Sequence, residues 1–262
     1  MTKTAVITGS TRGIGLGLAK AFLARGCSVM ISGRKRENVQ RTLVALRQQY
    51  PAQCIAGYAC DVRDPSQLDS LWHASLTTFG RVAIWINNAG VSGDQQMIST
   101  SSSEQVENIV KTNLLGVIFG SQVAARGMIK QGYGSIYNME GMGSDGRMHA
   151  GLIFYGMTKY GVCYFTRGLA QEMSHSPIIV GSLRPGMVVT DLIAKQYEGR
   201  PQEWERAKRI FNIIADRVEV VTPWLVDRIL ENKRNGVHLS WATGGRMFFR
   251  LIAQPFSRRE LF

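Results

Sequence analysis

The chain has 262 residues, of which 45% are hydrophobic and 19% are charged, and its formal net charge is +12. This composition excludes an intrinsically disordered chain, because its apolar residues can bury a core, and the length suits one α/β domain. The lysines and arginines are scattered and form no recognised nucleic-acid-binding motif, so we expect no nucleic-acid partner. The positive charge suits anionic cofactors, acidic substrates or an anionic membrane surface.

The sequence shows no sign of a targeting peptide or a membrane span. A first strand is expected at residues 3–8, which leaves no room for a cleaved leader and predicts a cytoplasmic chain. No window reaches the ~18–20 continuous apolar residues that a span requires, so any membrane contact would be peripheral. Neither a Cys-x-x-Cys pair nor metal-ligand spacing occurs, so we expect no metal site and reduced thiols at Cys27, Cys54, Cys60 and Cys163.

Short runs rich in β-branched residues alternate with amphipathic segments along the chain. The runs predict buried strands at 5–7, 28–31, 54–58, 82–86, 135–137 and 178–180, with a last short strand near 236–241. Between them the pattern predicts helices at 14–25, 35–48, 65–79, 104–130 and 156–174. Asp64-Pro65 and Thr222-Pro223 each place a capping side chain before a proline at a first helical position. The alternation predicts an α/β fold, a single-domain Rossmann-type doubly wound parallel sheet with helices on both faces.

The first strand runs into a glycine-rich turn that opens a helix. Glycines let the backbone approach a pyrophosphate, and the helix N-terminus offers free N–H groups and the positive end of its dipole. At such a strand-to-helix junction the turn predicts a dinucleotide-binding site. The residues concerned are Gly9, Ser10, Thr11, Arg12, Gly13, Ile14 and Gly15.

The second and third strands end at candidate contacts to the adenosine half of the cofactor. No Asp or Glu follows the second strand to accept from the ribose hydroxyls; Arg34 follows it instead. Arg34 and Arg12 can bind a ribose 2′-phosphate, which favours NADPH over NADH, although solvated surface arginines are the alternative. Asp61-Val62 ends the third strand, where Asp61 could accept from the adenine amino group.

Tyr155 and Lys159 stand four residues apart at the start of a predicted helix and so share one face. A phenol with a pKa of about 10 is a poor acid at neutral pH unless a nearby cation stabilises the phenolate. Lys159 could supply that charge while binding the nicotinamide ribose. A Tyr-x-x-x-Lys match is common by itself, but its distance from a dinucleotide turn makes this one diagnostic of a catalytic pair.

With these motifs in order, the chain resembles the short-chain dehydrogenase/reductase family over nearly its whole length. The resemblance implies hydride transfer between NADPH or NADP⁺ and a carbonyl or alcohol carbon, with Tyr155 as proton donor, in a dimer or tetramer. Asn113 matches the helix asparagine of the family's proton relay. The resemblance also implies cofactor contacts from Asn88, Ala89 and Gly90 and from Pro185, Gly186, Val188 and Thr190.

After the fifth strand the chain departs from the family. The usual Asn-x-Ser-Ser, whose second serine polarises the substrate carbonyl, is replaced by Asn138-Met139-Glu140-Gly141. Ser144, three residues further on, is our candidate for that role, with a backbone amide near Gly141 or a plain loop serine as alternatives. Glu140 either faces the cleft and meets the substrate or is a simple turn residue.

Residues 137–144, together with 185–192 and 212–216, resemble the chlorophyll b reductase branch of the family. This implies NADPH-dependent reduction of the 7-formyl group of chlorophyll b or chlorophyllide b to hydroxymethyl, a step of chlorophyll catabolism. The first alternative is reduction of another hydrophobic carbonyl, such as a steroid-like or retinoid-like ketone. The second is a non-catalytic NADPH-binding regulator, which the missing serine motivates.

The last part of the chain divides into a lid and a tail. We place the main domain at 1–245, including a helical region at about 190–217 that either closes an apolar substrate cleft or packs into the core. Residues 246–262 form a basic aromatic tail. Such a tail can contact an anionic membrane surface or pack against a partner subunit.

Overall fold

The computed structural model describes residues 2–93, 95–190, 197, 199–245 and 259–261. Each predicted strand is present in it, and all the strands pair in parallel. They are β1 (Thr4–Ile7), β2 (Ser28–Gly33), β3 (Ile55–Ala59), β4 (Ile84–Asn87), β5 (Gly134–Met139), β6 (Ile178–Arg184) and β7 (Val237–Ser240). Their order in the sheet is β3-β2-β1-β4-β5-β6-β7.

Helices connect the strands. They are α1 (Gly13–Leu23), α2 (Arg36–Arg47), α3 (Pro65–Phe79), α4 (Ser103–Val110), α5 (Gly116–Gln131), α6 (Ile153–Glu172), α7 (Pro201–Ile214) and α8 (Val218–Glu231). Short 3-10 turns cover Ala52–Cys54 and Ile98–Thr100. No helix within the described ranges is long and apolar enough to cross a membrane.

Buried apolar side chains cover both faces of the sheet. On one face Phe22 of α1, Leu43 of α2 and Leu225 of α8 belong to one core cluster. On the other face Trp72 of α3 and Met128 of α5 belong to a second cluster. A parallel sheet buried on both faces explains why its strands are nearly continuous apolar runs. The predicted doubly wound Rossmann-type fold is thereby confirmed.

The helix predicted over 104–130 is interrupted in the structure. A π-helical turn at Lys111–Leu115 separates α4 from α5. Such a turn inserts an extra residue into the helix, which apolar periodicity alone does not reveal. The start of α3, in contrast, agrees with its prediction, because the side chain of Asp64 accepts the Ser66 backbone N–H.

The prediction that Thr222-Pro223 begins a helix is wrong. Helix α8 already starts at Val218, and Pro223 lies inside it. The side chains of Val218 and Thr222 pack against Gly17 of α1. Burial of this first turn against α1 offsets the backbone hydrogen bond that Pro223 cannot make.

The carboxyl ends of the seven parallel strands lie on one edge of the sheet. β1 sits between β2 and β4, so the loops that follow β1 and β4 lead away in opposite directions and leave a crevice between them. The predicted cofactor and catalytic segments follow strands β1 to β6 and meet at this edge. Of the predicted lid and tail, residues 191–196, 198, 246–258 and 262 lie outside the described residues.

Candidate active site

The glycine-rich turn after β1 is held by the segment that follows β4. Gly9 and Gly13 have positive φ angles of 62° and 54°, which glycine adopts without steric cost. The Thr8 hydroxyl accepts the backbone N–H groups of Asn88 at 2.9 Å and Ala89 at 3.1 Å. The Asn88 side-chain amide donates to the carbonyl oxygens of Thr8 at 2.9 Å and Gly9 at 3.0 Å. The two predicted cofactor segments therefore form one unit.

The start of α1 is suited to the close approach of a phosphate. A β-carbon on Gly15 would lie 2.4 Å from the Gly9 carbonyl oxygen and 2.5 Å from Asn88 Nδ2, so this position requires glycine. Helix α1 begins at Gly13, and its N-cap residue Arg12 makes no side-chain capping hydrogen bond. The first N–H groups of the helix and the positive end of its dipole are thus available to an anion.

Three residues of the turn serve its packing. The Ser10 hydroxyl donates to the Ile7 carbonyl at 2.7 Å and accepts the Ser32 N–H at 2.9 Å. Thr11 lies against Gly33, and Ile14 packs on the apolar core. These contacts fix the turn to β1, β2 and the core.

Arg12 and Arg34 are the two cations beside the turn. Both are exposed, and neither takes part in any ion pair among the residues that the structure describes. Arg34 directly follows Gly33, which contacts Thr11, the residue before Arg12. Arg12 and Arg34 therefore follow backbone segments that touch each other, and their guanidinium groups could bind a ribose 2′-phosphate from this edge.

Asp61 is already engaged by a neighbouring arginine. Its carboxylate oxygens accept from Arg63 Nε at 2.9 and 3.0 Å. Burial disfavours the charged form, but the hydrogen bonds from Arg63 and the nearby charge of Arg34 outweigh it, so the pKa of Asp61 lies below its ordinary value. Val62 is buried against Gly116 of α5. A contact between Asp61 and adenine stays a prediction.

Tyr155, Lys159 and Asn113 come together behind this edge. Lys159 Nζ lies 5.7 Å from the centre of the Tyr155 ring and donates to the Met139 carbonyl at 3.0 Å. Asn113, in the π-helical turn, accepts the Val91 N–H and donates to the Val91 carbonyl, both at 2.8 Å. A β-carbon on Gly90 would be 3.4 Å from Asn113 Oδ1 and 3.8 Å from Lys159 Nζ, which puts Gly90 between the two side chains.

Burial controls the ionisation of the Tyr155 and Lys159 pair. It raises the pKa of Tyr155 to about 12. It lowers the pKa of Lys159 to about 8, against the opposing negative charge of Glu140. At neutral pH Tyr155 therefore keeps a proton to donate, and Lys159 is largely cationic.

The position of the usual serine is taken up by the Tyr155 hydroxyl. A β-carbon on Gly141 would lie 2.4 Å from that hydroxyl oxygen and 3.3 Å from Lys159 Cε. Any side chain at residue 141 must therefore displace the phenol from its present position. The departure from the family pattern thus affects the placement of Tyr155, the predicted proton donor.

We expect Gly141→Ala to lower kcat by about 10- to 100-fold, because shifting a reacting group by about 1 Å costs that much. NADPH binding, measured by fluorescence titration, should be retained. The matched control is Gly168→Ala in α6, whose added β-carbon would meet nothing within 4 Å among the described residues. Equal turnover of the two variants would show that the phenol tolerates the displacement.

The structure places Ser144 and Glu140 in one buried polar network with Arg184 and His238. The Ser144 hydroxyl is buried and accepts from an Arg184 guanidinium nitrogen at 2.7 Å. The Glu140 side chain is 1% exposed and pairs with Arg184 and His238. A role for Ser144 in polarising the carbonyl stays a prediction. Sequence reasoning missed Arg184 and His238, and no local signal marks them.

The loop after β6 contacts the glycine-rich turn and the lid region. Thr190 Cγ2 lies 3.5 Å from the β-carbon position of Gly13. Val188 pairs with Asp216, and the Val189 N–H donates to the Asp216 carbonyl at 2.9 Å. Pro185 is buried, whereas Gly186 takes a φ of 74° against Ala242.

Helix α7 packs on the same loop. Its buried Ala207 and Phe211 form a cluster with Met187, Val189 and Trp204. Ile210, in contrast, is 57% exposed. The helical part of the predicted lid thus stands directly over the loop that the resemblance assigns to nicotinamide.

Known proteins resemble this chain over most of its length. The sequence profile described as short chain dehydrogenase matches residues 3–201. Chlorophyll(ide) b reductase NOL, chloroplastic, from Oryza sativa subsp. japonica is 32% identical over 258 residues, which cover 95% of this chain and 74% of the rice protein. The 3alpha-hydroxysteroid dehydrogenase of Mediterraneibacter gnavus is 34% identical over 192 residues, 73% of this chain and 76% of that one.

A solved structure shares the fold at similar coverage. A variant of actinorhodin polyketide ketoreductase, crystallised with NADPH, superposes with a TM-score of 0.82 and 28% identity. The match covers 93% of this chain and 97% of the ketoreductase chain.

Proposed function

This chain belongs to the short-chain dehydrogenase family and is an oxidoreductase, and from that premise we propose that it uses NADPH to reduce the 7-formyl group of chlorophyll b or chlorophyllide b. The observation that carries the reductase assignment is the placement of Tyr155, Lys159 and Asn113 beside an uncapped, glycine-lined helix start. The pigment assignment is supported by the similarity to the rice chlorophyll(ide) b reductase across 95% of this chain.

Tyr155 donates the proton to the oxygen of the reduced carbonyl. Lys159, held by the Met139 carbonyl, presents a positive charge that stabilises the phenolate left behind. Asn113 fixes the main chain at Val91 and thereby the wall next to Lys159, where the family resemblance places a proton relay. With Ser144 committed elsewhere, a backbone amide near Gly141 is the group that we assign to the carbonyl.

The described residues fit NADPH. The N–H groups at the start of α1 would hold the pyrophosphate, and Arg12 with Arg34 would hold the 2′-phosphate. When bound, NADPH supplies the hydride that the carbonyl carbon accepts. The similarity to the ketoreductase crystallised with NADPH supports this choice of cofactor.

A hydrophobic substrate is supported by the helix over the site. Tyr197, Trp204 and Phe211 form a cluster of aromatic rings with centroids 5.4 to 6.1 Å apart. We assign α7 as the helical part of a lid that excludes water from the bound pigment. A hydroxysteroid or related ketone is the second candidate substrate, because the 3alpha-hydroxysteroid dehydrogenase is 34% identical to this chain.

The test is reduction of detergent-solubilised chlorophyll b and chlorophyllide b with NADPH, followed by chromatography of the pigments. We expect the 7-hydroxymethyl product with NADPH and at least about 10-fold less with NADH, since a 2′-phosphate contact distinguishes the two. Turnover of a 3-ketosteroid but of neither pigment would transfer the assignment to the second candidate. Binding of NADPH without turnover of any carbonyl would contradict both.

The oligomeric state that we propose rests on the family resemblance alone. Relatives in this family often assemble into oligomers, and we propose a dimer or tetramer here. Peripheral membrane contact through residues 246–262 and a cytoplasmic location stay predictions; the rice relative is chloroplastic by its name.

A further inference from the structure

The end of β5 touches the catalytic pair on both sides of Glu140. The carbonyl of Met139 accepts from Lys159 Nζ at 3.0 Å, and Gly141 lies against the Tyr155 hydroxyl. Glu140, between them, has a side chain that is 1% exposed and lies next to Arg184 and His238. Contacts that hold Glu140 in place therefore also hold the backbone of Met139 and Gly141, which contacts both catalytic residues.

Glu140 is held from two neighbouring strands. Its Oε2 lies 3.4 Å from Arg184 Nε at the end of β6, and its Oε1 lies 3.5 Å from His238 Nδ1 on β7. His238 Nδ1 is also 2.7 Å from the Ser182 hydroxyl, and Arg184 donates to Ser144 at 2.7 Å. The network thus ties the end of β5 to β6, to β7 and to the loop that follows Glu140.

The carboxylate is only partly compensated by these contacts. Oε2 is buried and has no hydrogen bond among the described residues; its charge is met by Arg184 across 3.4 Å. A buried charge is tolerated when other charges offset its lost hydration. On the catalytic side, Lys159 of α6 donates to the carbonyl of Met139, the residue before Glu140, and the negative charge of Glu140 raises the pKa of Lys159 against the larger, opposite effect of burial.

The titratable and charged groups around Glu140 come from every element packed on it. They are Arg184 from β6, His238 from β7, Asp145 from the following loop, and Lys159 and Cys163 from α6. Burial opposes ionisation of Glu140, but the hydrogen bond and charge of His238 and the hydroxyls of Ser182 and Ser144 hold its pKa below the ordinary value. Glu140 is therefore a carboxylate throughout the working pH range.

We propose that Glu140 is a positioning residue of the reductase site: its buried carboxylate fixes the end of β5 against Tyr155 and supplies the negative charge that Lys159 faces. This inference rests on the proposed reductase function. It assigns to Glu140 a role behind the site, in place of the substrate contact or turn role considered from the sequence.

The role has a consequence for the pH dependence of catalysis. The negative charge of Glu140 raises the pKa of Lys159 against the lowering by burial. Without that charge, Lys159 loses its proton at a lower pH, and the phenolate of Tyr155 loses its stabilising cation there. The alkaline limb of the kcat profile should therefore move to lower pH.

The decisive variant is Glu140→Gln, which keeps the shape and removes the charge. We expect the alkaline limb of kcat to move down by about one pH unit, a typical shift for loss of one nearby charge, with KM changed less than kcat. Independently of activity, the rise in melting temperature that accompanies deprotonation of Lys159 should begin at a correspondingly lower pH. The control is Glu231→Gln, which breaks an exposed pair with Arg228 and should shift neither profile.

A second variant tests whether the direction of the pH shift follows the charge near Lys159. Arg184→Gln removes the cation that opposes the charge of Glu140, so the alkaline limb and the onset of the melting-temperature rise should move to higher pH. This variant decides the question if Glu140→Gln shows no cooperative unfolding. Unshifted profiles in a folded Glu140→Gln protein, or shifts of the same sign in both variants, would overturn the inference. Absence of turnover in the wild-type chain would instead contradict the proposed function, and the melting profiles would still test Glu140.

Discussion

Replacing Tyr155 with phenylalanine will lower kcat for carbonyl reduction by about 10³-fold, because it removes the proposed general acid of the reaction. The phenol keeps its proton at working pH, since burial raises its pKa to about 12. Only the hydroxyl is lost, and the ring still fills its place against Gly141 and Lys159. We therefore expect NADPH affinity and melting temperature to stay close to those of the wild type.

The matched control for this variant is on the same helix. Tyr160→Phe removes a hydroxyl from a side chain that is 56% exposed, and it should leave kcat unchanged. Product formation measured by chromatography at saturating NADPH separates the two. A Tyr155→Phe protein that turned over at the wild-type rate would remove Tyr155 from the mechanism.

Lys159→Met should lower kcat by about 10²-fold or more, since Tyr155 then lacks the cation that stabilises its phenolate. It should not destabilise the fold at pH 7. Lys159 is 4% exposed, and burial lowers its pKa from 10.5 to about 8. Because the folded protein binds this proton more weakly than the unfolded chain does, holding the buried side chain protonated costs the wild type about 3 kcal/mol below pH 8.

The lowered pKa of Lys159 determines the pH range in which the melting temperature should be measured. Between pH 8 and 10.5 the unfolded wild type binds a proton at Lys159 that the folded protein has released, so its free energy of unfolding rises with pH there. The Lys159→Met variant lacks this rise. Its advantage in melting temperature at pH 7 should therefore shrink from pH 8 upward. Lys130→Met, which removes an exposed lysine of α5, should run parallel to the wild type throughout; a Lys159→Met curve parallel to it as well would contradict the buried-cation assignment.

The parts of the site that sequence predicts are those set by local spacing. Gly9 to Gly15 form the junction between a strand and a helix, and Tyr155 and Lys159 share one helical face. In each motif the local spacing therefore determines how its residues are placed relative to one another. The parallel sheet then follows from alternation, and parallel strands bring the loops after β1, β4, β5 and β6 to one edge. Local rules and fold topology together were enough to bring these motifs together.

The parts that escaped prediction depend on contacts between distant segments. Glu140, Arg184 and His238 meet only because β5, β6 and β7 are neighbours in register. The same pairing places Arg184 where it donates to the Ser144 hydroxyl, a contact that the local sequence does not predict. The prediction from Thr222-Pro223 failed for a similar reason, since packing of Val218 on α1 lets α8 begin before this local start signal.

The bonds between Thr8 and Asn88 also bear on the order in which the chain can acquire its shape during synthesis. The phosphate-binding turn is encoded in the first 15 residues, yet its carbonyl and hydroxyl groups are held by a segment that emerges some 80 residues later. A nascent chain that ends before β4 contains the turn sequence but lacks the residues after β4 that hydrogen-bond to it. We therefore expect ribosome-bound chains of the first three strands not to retain NADPH, and protection of the turn from proteolysis to begin only once β4 has been added beside β1.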